Sequence, residues 1–174
     1  MKKLSLKKYL FFSAIIALGI LIDQISKLLA VKFLEPIDTL PIIKNVIHLT
    51  YVENRGAAFG MLANSRWVFM SISTVAILAM LVFLYAGFAQ NLLYEISVAM
   101  IIAGGIGNMI DRTVLGYVVD MIDFRLIDFA VFNGADSLVC VGAGILILAL
   151  LLDIAKESKA VKAKKEKDDD TDGK

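Results

Sequence analysis

Five aspartates fall between Asn108 and Asp136: Asp111, Asp120, Asp123, Asp128 and Asp136. The segment that holds them lies between two strongly apolar stretches. Ionisable groups near a membrane are expensive and usually functional. Two carboxylates brought together in a partly dry site cannot both ionise cheaply, so one pKa rises and the pair shares a proton. The ionised member then takes a proton from water while the protonated member polarises a peptide carbonyl. Asp120 and Asp136 are the candidate pair, because each sits beside the end of an apolar span with Asn108, Asn133 and Asp23 available nearby. Asp123 and Asp128 compete with them. The ordinary alternatives are a solvated loop residue for Asp120 and a helix N-cap for Asp136, a position that carboxylates favour.

The elements that must position these groups follow from hydropathy. The chain has 174 residues, 59% of them apolar, with 18 Lys and Arg against 17 Asp and Glu. Its mean hydropathy is +0.76. Lysines crowd both ends and are sparse between, which is the composition of a polytopic membrane protein. Residues 1–8 form a short basic start. Apolar runs at about 9–31, 67–86, 92–110 and 136–153 predict four transmembrane helices within one membrane domain, 9–153. The first run is long and carries Asp23 and Lys27, so it reads as a retained helix rather than a cleaved leader. The connections are 32–66 and 111–135. Pro36 and Pro41 break helix early in the first one. Residues 45–53 then alternate with β-branched side chains and predict a strand. The charged tail, 154–174, reads as a helix extension fraying into disorder. Lysines at both ends predict cytoplasmic termini and outward-facing connections.

Other polar residues fall near the same ends. Asp23 and Lys27 share a helix face at i and i+4. They form either a tolerated ion pair, with Lys27 snorkelling outward, or part of a polar site. Asn54 and Arg55 open a glycine-containing turn. Asn108, Asp111 and Arg112, at i, i+3 and i+4, make one polar face on the third span. Other chemistries fare worse. One cysteine, Cys140, and one histidine, His48, disfavour a zinc site or a Cys-His pair. Ser26 and Lys27 are adjacent and point apart. There is no glycine-rich phosphate loop, and no basic patch interleaved with aromatics for nucleic acid. A small proton-coupled transporter is the main alternative. It should spread polar residues through the bilayer midplane, whereas here they cluster towards one side. A structural subunit and a carboxylate metal hydrolase are the others.

Five motifs in order, DQISK at 23–27, NRGAAFG at 54–60, GNMIDR at 107–112, GYVVD at 116–120 and FNGAD at 132–136, resemble the lipoprotein signal peptidases, or signal peptidase II family. The resemblance covers about residues 9–153. It implies an α-helical polytopic fold of four transmembrane helices with a small extracytoplasmic β-sheet cradle and a short surface helix. It implies an aspartic endopeptidase that cuts prolipoproteins on the amino side of a diacylglyceryl-modified cysteine, in the bacterial cytoplasmic membrane. It places the catalytic aspartates at Asp120 and Asp136. Supporting positions fall on Asp23, Lys27, Asn54, Arg55, Asn108, Asp111, Arg112, Asn133 and Ala135. It implies contact with membrane lipid, inhibition by globomycin, and no cofactor, metal or nucleic acid. The strand at 45–53 could clamp an extended peptide by edge pairing.

Overall fold

The computed structural model describes residues 4–56, 66–88 and 91–172. Helix α1 spans Leu6–Phe33. Strands β1, Thr39–Ile43, and β2, Ile47–Asn54, form a hairpin. Helix α2 is Arg66–Tyr85 and α3 is Leu92–Val114. Strand β3, Val118–Phe124, adds to the hairpin, and α4 runs from Gly134 to Asp172. Helix α1 starts where Ser5 accepts the Lys8 amide, and α3 where Asn91 accepts the Leu93 amide. Each cap satisfies a donor the helix leaves unpaired.

Among the described residues, three helical stretches are long and apolar enough to cross a membrane: α1, α3 and Gly134–Val161 of α4. The apolar part of α2 found there, Met70–Tyr85, is shorter. Phe12 and Ile16 of α1, Ile77 and Leu84 of α2, and Val98, Ala99, Ile102 and Ala103 of α3 form one core. The backbones of α3 and α4 come close where glycines allow it. A Cβ at Gly104 would run into the Ala135 carbonyl, and one at Gly142 would lie 2.9 Å from the Ser97 carbonyl. Small residues permit such approach where lipid gives no hydrophobic drive for helices to associate.

The sheet is antiparallel in the order β1-β2-β3. Val52 pairs with Asp120 and Asn54 with Val118, with a bulge between Leu49 and Val52. Ala30 and Leu34 at the end of α1 pack beneath β3 against Val119 and Met121. The sheet is thereby fixed to the end of the helical bundle.

Several boundaries differ from the sequence expectations. Helix α3 continues to Val114, so Asp111 and Arg112 are helical rather than in the second connection. That connection holds a strand, because Val118, Val119 and Met121 are buried against α1. Asp120 is accordingly not a solvated loop residue; it is 1% exposed. The strand expected at 45–53 is Ile47–Asn54, preceded by a turn in which Asn45 takes a φ of 64°. Pro41, expected only to break helix, lies in strand β1. The surface helix is a single 3-10 turn, Arg125–Ile127. The tail, expected as a helix extension fraying into disorder, continues α4 as helix to Asp172; its Lys, Glu and Ala residues are good helix formers. Of the NRGAAFG motif, residues 57–60 lie outside the described residues.

A candidate active site at one end of the helical bundle

The chain brings Asp120 and Asp136 together by a loop that leaves β3 and returns to it. After the turn at Arg125–Ile127, Phe132 pairs with β3: the Met121 and Ile122 amides donate to its carbonyl at 3.0 and 2.8 Å, and its own amide donates to the Ile122 carbonyl at 3.0 Å. Phe124 and Phe132 stack across this closure. Asn133, the next residue, is then forced beside Asp120.

Asn133 starts α4. Its Oδ1 accepts the Asp136 amide at 2.9 Å, and Asp136 Oδ2 accepts the Asn133 amide at 3.3 Å. This is a reciprocal capping box. The cap is therefore Asn133, and Asp136 sits three residues inside the helix rather than at the cap. Asn133 is 0% exposed. Its Nδ2 donates to Asp120 Oδ1 at 2.6 Å and to Asn108 Oδ1 at 3.0 Å. One residue thus donates to both carboxylates, to Asp120 through its side-chain amide and to Asp136 through its backbone amide. The outer oxygens have their own donors. Asn54 Nδ2 donates to Asp120 Oδ2 at 3.0 Å, and Asn108 Nδ2 donates to Asp136 Oδ1 at 2.8 Å.

Below the pair lies a second, drier layer. Lys27 is 3% exposed and contacts three acceptors: Asp23 Oδ2 at 2.9 Å, Asp111 Oδ2 at 3.0 Å and Asn108 Oδ1 at 2.9 Å. It does not snorkel. Asp23 Oδ1 accepts the Ala135 amide at 2.8 Å, and Asp111 Oδ2 accepts the Val119 amide at 3.1 Å. Each of these buried carboxylates holds the backbone one residue before a candidate catalytic aspartate. Gln24 joins them, donating to Asp23 Oδ2 at 3.2 Å and Asp111 Oδ1 at 3.0 Å. Sequence reasoning passed over Gln24, although a polar residue beside Asp23 in an apolar span was a usable signal.

Arg112 flanks the site and donates to the Gly56 carbonyl at 3.3 Å. Gly56 in turn donates to Asn54 Oδ1 at 3.0 Å. Arg55 turns elsewhere. It pairs with Glu53 at 2.8 Å and lies over the Tyr117 ring at 5.2 Å, with its side chain 62% exposed. Asp123 points into a separate network, accepting from Thr50 at 2.8 Å and Arg125 at 2.9 Å. Burial would push its carboxyl up, but these bonds and the Arg125 charge outweigh it and hold it below the usual range. Asp128 is exposed on the loop at a left-handed φ of 49°. Neither competitor joins the pair.

Burial pushes the Asp120 carboxyl up to about 6. The Asn54 hydrogen bond opposes this, the Asp136 charge reinforces it, and Asn133 and Lys27 oppose it again. Beside the pair opens a cleft of about 490 Å³. Asn54, Asn108, Arg112 and Asp136 line its polar end. Val118, Phe124, Ile127, Phe129, Val131 and Phe132 make an apolar wall, with Ser137 and Cys140 along α4. A polar end with a convergent carboxylate and a long apolar wall suits an apolar peptide segment whose backbone reaches the carboxylates.

Comparisons with known proteins bear on the family and the fold. The family model for signal peptidase (SPase) II matches residues 15–152. A lipoprotein signal peptidase of Caldanaerobacter subterraneus is 52% identical over 132 residues, 76% of this chain and 90% of that protein. Those of Halothermothrix orenii and Clostridioides difficile are 46% and 44% identical, over 78% and 82% of this chain and 92% and 95% of theirs. Two solved structures described as bacterial membrane enzymes superpose with TM-scores of 0.78 and 0.73 at 30% and 31% identity. They cover 84% and 81% of this chain and 90% and 92% of their own.

Proposed function

The chain belongs to the signal peptidase II family, a membrane peptidase family, and from that premise we propose that it removes signal peptides from prolipoproteins through the Asp120–Asp136 pair. The observation that carries this reading is Asn133, which donates to the Asp120 carboxylate through its side chain and to the Asp136 carboxylate through its backbone amide, in a buried site open to a cleft. The substrate is a prolipoprotein whose cysteine carries diacylglycerol, cut on the amino side of that cysteine. Its acyl chains stay in the bilayer while the adjacent scissile bond enters the cleft.

The mechanism is general acid–base hydrolysis without a covalent intermediate. Burial favours Asp120 as the protonated member, which donates to the scissile carbonyl. Asp136, half-buried at the cleft, takes a proton from water as the water attacks. As the C–N bond breaks, Asp136 gives its proton to the departing amine and a hydroxyl of the gem-diol returns one to Asp120, which restores the single shared proton of the pair. Asn54 and Asn108, each donating to an outer carboxylate oxygen, keep both groups aimed inward. Asp23, Lys27, Asp111, Arg112, Asn133 and Ala135 support the pair. Arg55, turned away from it, is assigned instead to the rim.

The proposed architecture has α2 as a fourth transmembrane helix, the membrane domain at 9–153 and a cytoplasmic tail. Both termini face the cytoplasm, and the sheet and site lie at the outer face of the bacterial cytoplasmic membrane. Membrane lipid borders the cleft, and a globomycin-type cyclic peptide would compete for it.

The test is cleavage of a purified diacylglyceryl prolipoprotein in detergent. Asp120→Asn and Asp136→Asn should each lower turnover by about 10²–10⁴-fold or more, while both variants insert and fold. Full activity in either removes the pair assignment. Loss of wild-type activity on chelation would point to a metal hydrolase instead.

A further inference from the structure

Lys27 is the centre of the buried layer, and its chemistry differs from that of its neighbours. An ammonium has three donors and no acceptor, whereas an Asn amide presents an acceptor on one side and donors on the other. All three Lys27 contacts are to oxygens: Asp23 on its own helix, and Asp111 and Asn108 on α3. Because Lys27 can only donate, Asn108 must turn Oδ1 towards it. The Asn108 Nδ2 then faces outward and reaches Asp136. The same Oδ1 receives Asn133 Nδ2, whose other contact is Asp120. The two carboxylates that Lys27 holds accept the backbone amides of Val119 and Ala135, the residues just before Asp120 and Asp136.

We propose that Lys27 is a positioning residue for the reaction: it sets the direction of the hydrogen bonds that reach Asp136 and Asp120 through Asn108 and fixes the backbones that carry them. This rests on the assignment of the pair above. The charged groups around Lys27 are Asp23 on α1, Asp111 on α3, Asp120 on β3 and Asp136 on α4, and Asp136 also faces Arg112 on α3. Simple neutralisation of Asp23 and Asp111 would make Lys27 a stability residue only. The relay through Asn108 adds control over proton affinity in the pair.

Two variants separate these roles. Lys27→Met removes the donor and the charge. Lys27→Met with Asp111→Asn removes one positive and one negative charge, so the sum over the cluster is unchanged and the fold is spared two facing carboxylates. The readout is kcat and KM for prolipoprotein cleavage across pH, per folded enzyme. Expected in both is a fall in kcat of about tenfold or more with KM nearly unchanged, and a pH profile moved upward by about half a unit or more. The displacement should persist in the double variant, where the formal charge is balanced. Profiles that superpose on the wild type, at any amplitude, overturn the proposal, as does a displacement in the single variant that vanishes in the double. If Asp120→Asn or Asp136→Asn keeps turnover, the pair assignment itself has failed. If both are inactive while the Lys27 variants trace the wild-type profile, only the role of Lys27 has.

Discussion

Asn133 caps a helix and holds two carboxylates, Asp120 by its side chain and Asp136 by its backbone amide. Replacing it by Ala removes the cap, worth about 0.5–2 kcal/mol, and leaves Asp120 without its shortest donor. The Asn133→Ala enzyme should lose more activity than stability, which parallel turnover and thermal-unfolding measurements in detergent would show. Asp120 itself strains the fold. Its folded pKa, raised to about 6 from 3.8, means that the native state holds the proton more tightly than the unfolded chain. The contribution of Asp120 to stability is therefore fully present below the unfolded pKa and is lost as pH rises through about 6. At one to two units above that, the ionised buried group costs up to about 3 kcal/mol. Asp120→Asn should flatten this dependence and raise the unfolding temperature at neutral pH while abolishing cleavage. An unfolding temperature that falls equally at all pH values would contradict the burial argument.

At the scale of elements, the site depends on how closely α3 can approach α1 and the start of α4. A Cβ at Gly107 would lie 2.5 Å from Asp23 Oδ2 and 3.2 Å from the Ala135 Cβ. Gly107→Ala should push Asp23 off the Ala135 amide and tilt the start of α4, costing about 1–3 kcal/mol from overpacking and more than that in turnover. Gly144 makes no such contact, so Gly144→Ala serves as the matched control and should behave as wild type. Strand β3 is positioned from two sides, by the Asp111 bond to Val119 and by the packing of Met121 on α1. The α3–β3 connection turns at Gly116, whose φ of 90° favours glycine.

For the whole molecule, the proposed topology puts the lysine-rich termini and the polar network on opposite sides of the membrane. The proposed topology can be read with thiol labels in a Cys140→Ser background. A cysteine placed at Lys44, exposed in the turn between β1 and β2, should react with an impermeant reagent in intact cells. One placed at Lys159, exposed in the lysine-rich end of α4, should react only after permeabilisation. The reverse pattern would invert the topology. Labelling of both from outside would remove the even number of crossings and, with it, α2 as a span.

Hydropathy alone was enough to identify a membrane protein, because transfer of an apolar helix from water is governed by composition over about 20 residues. The ordered motifs were enough to identify the family, and they marked the acidic segment that holds the candidate site. Local pattern also marked Asp23 and Lys27 as neighbours on one face, since helix geometry makes i and i+4 adjacent. It did not separate Asp120 from Asp123. Both lie on β3, three residues apart, and their environments are set by partners remote in the chain. The return of Phe132 to Ile122 puts Asn133 against Asp120, while Thr50 and Arg125 claim Asp123. Strand β3 was equally hidden, because its pairing with β2 bridges elements separated by two helices. Carboxylate type and order are properties of the chain; which carboxylates share donors, and how dry they are, depends on contacts between segments that sequence proximity does not encode.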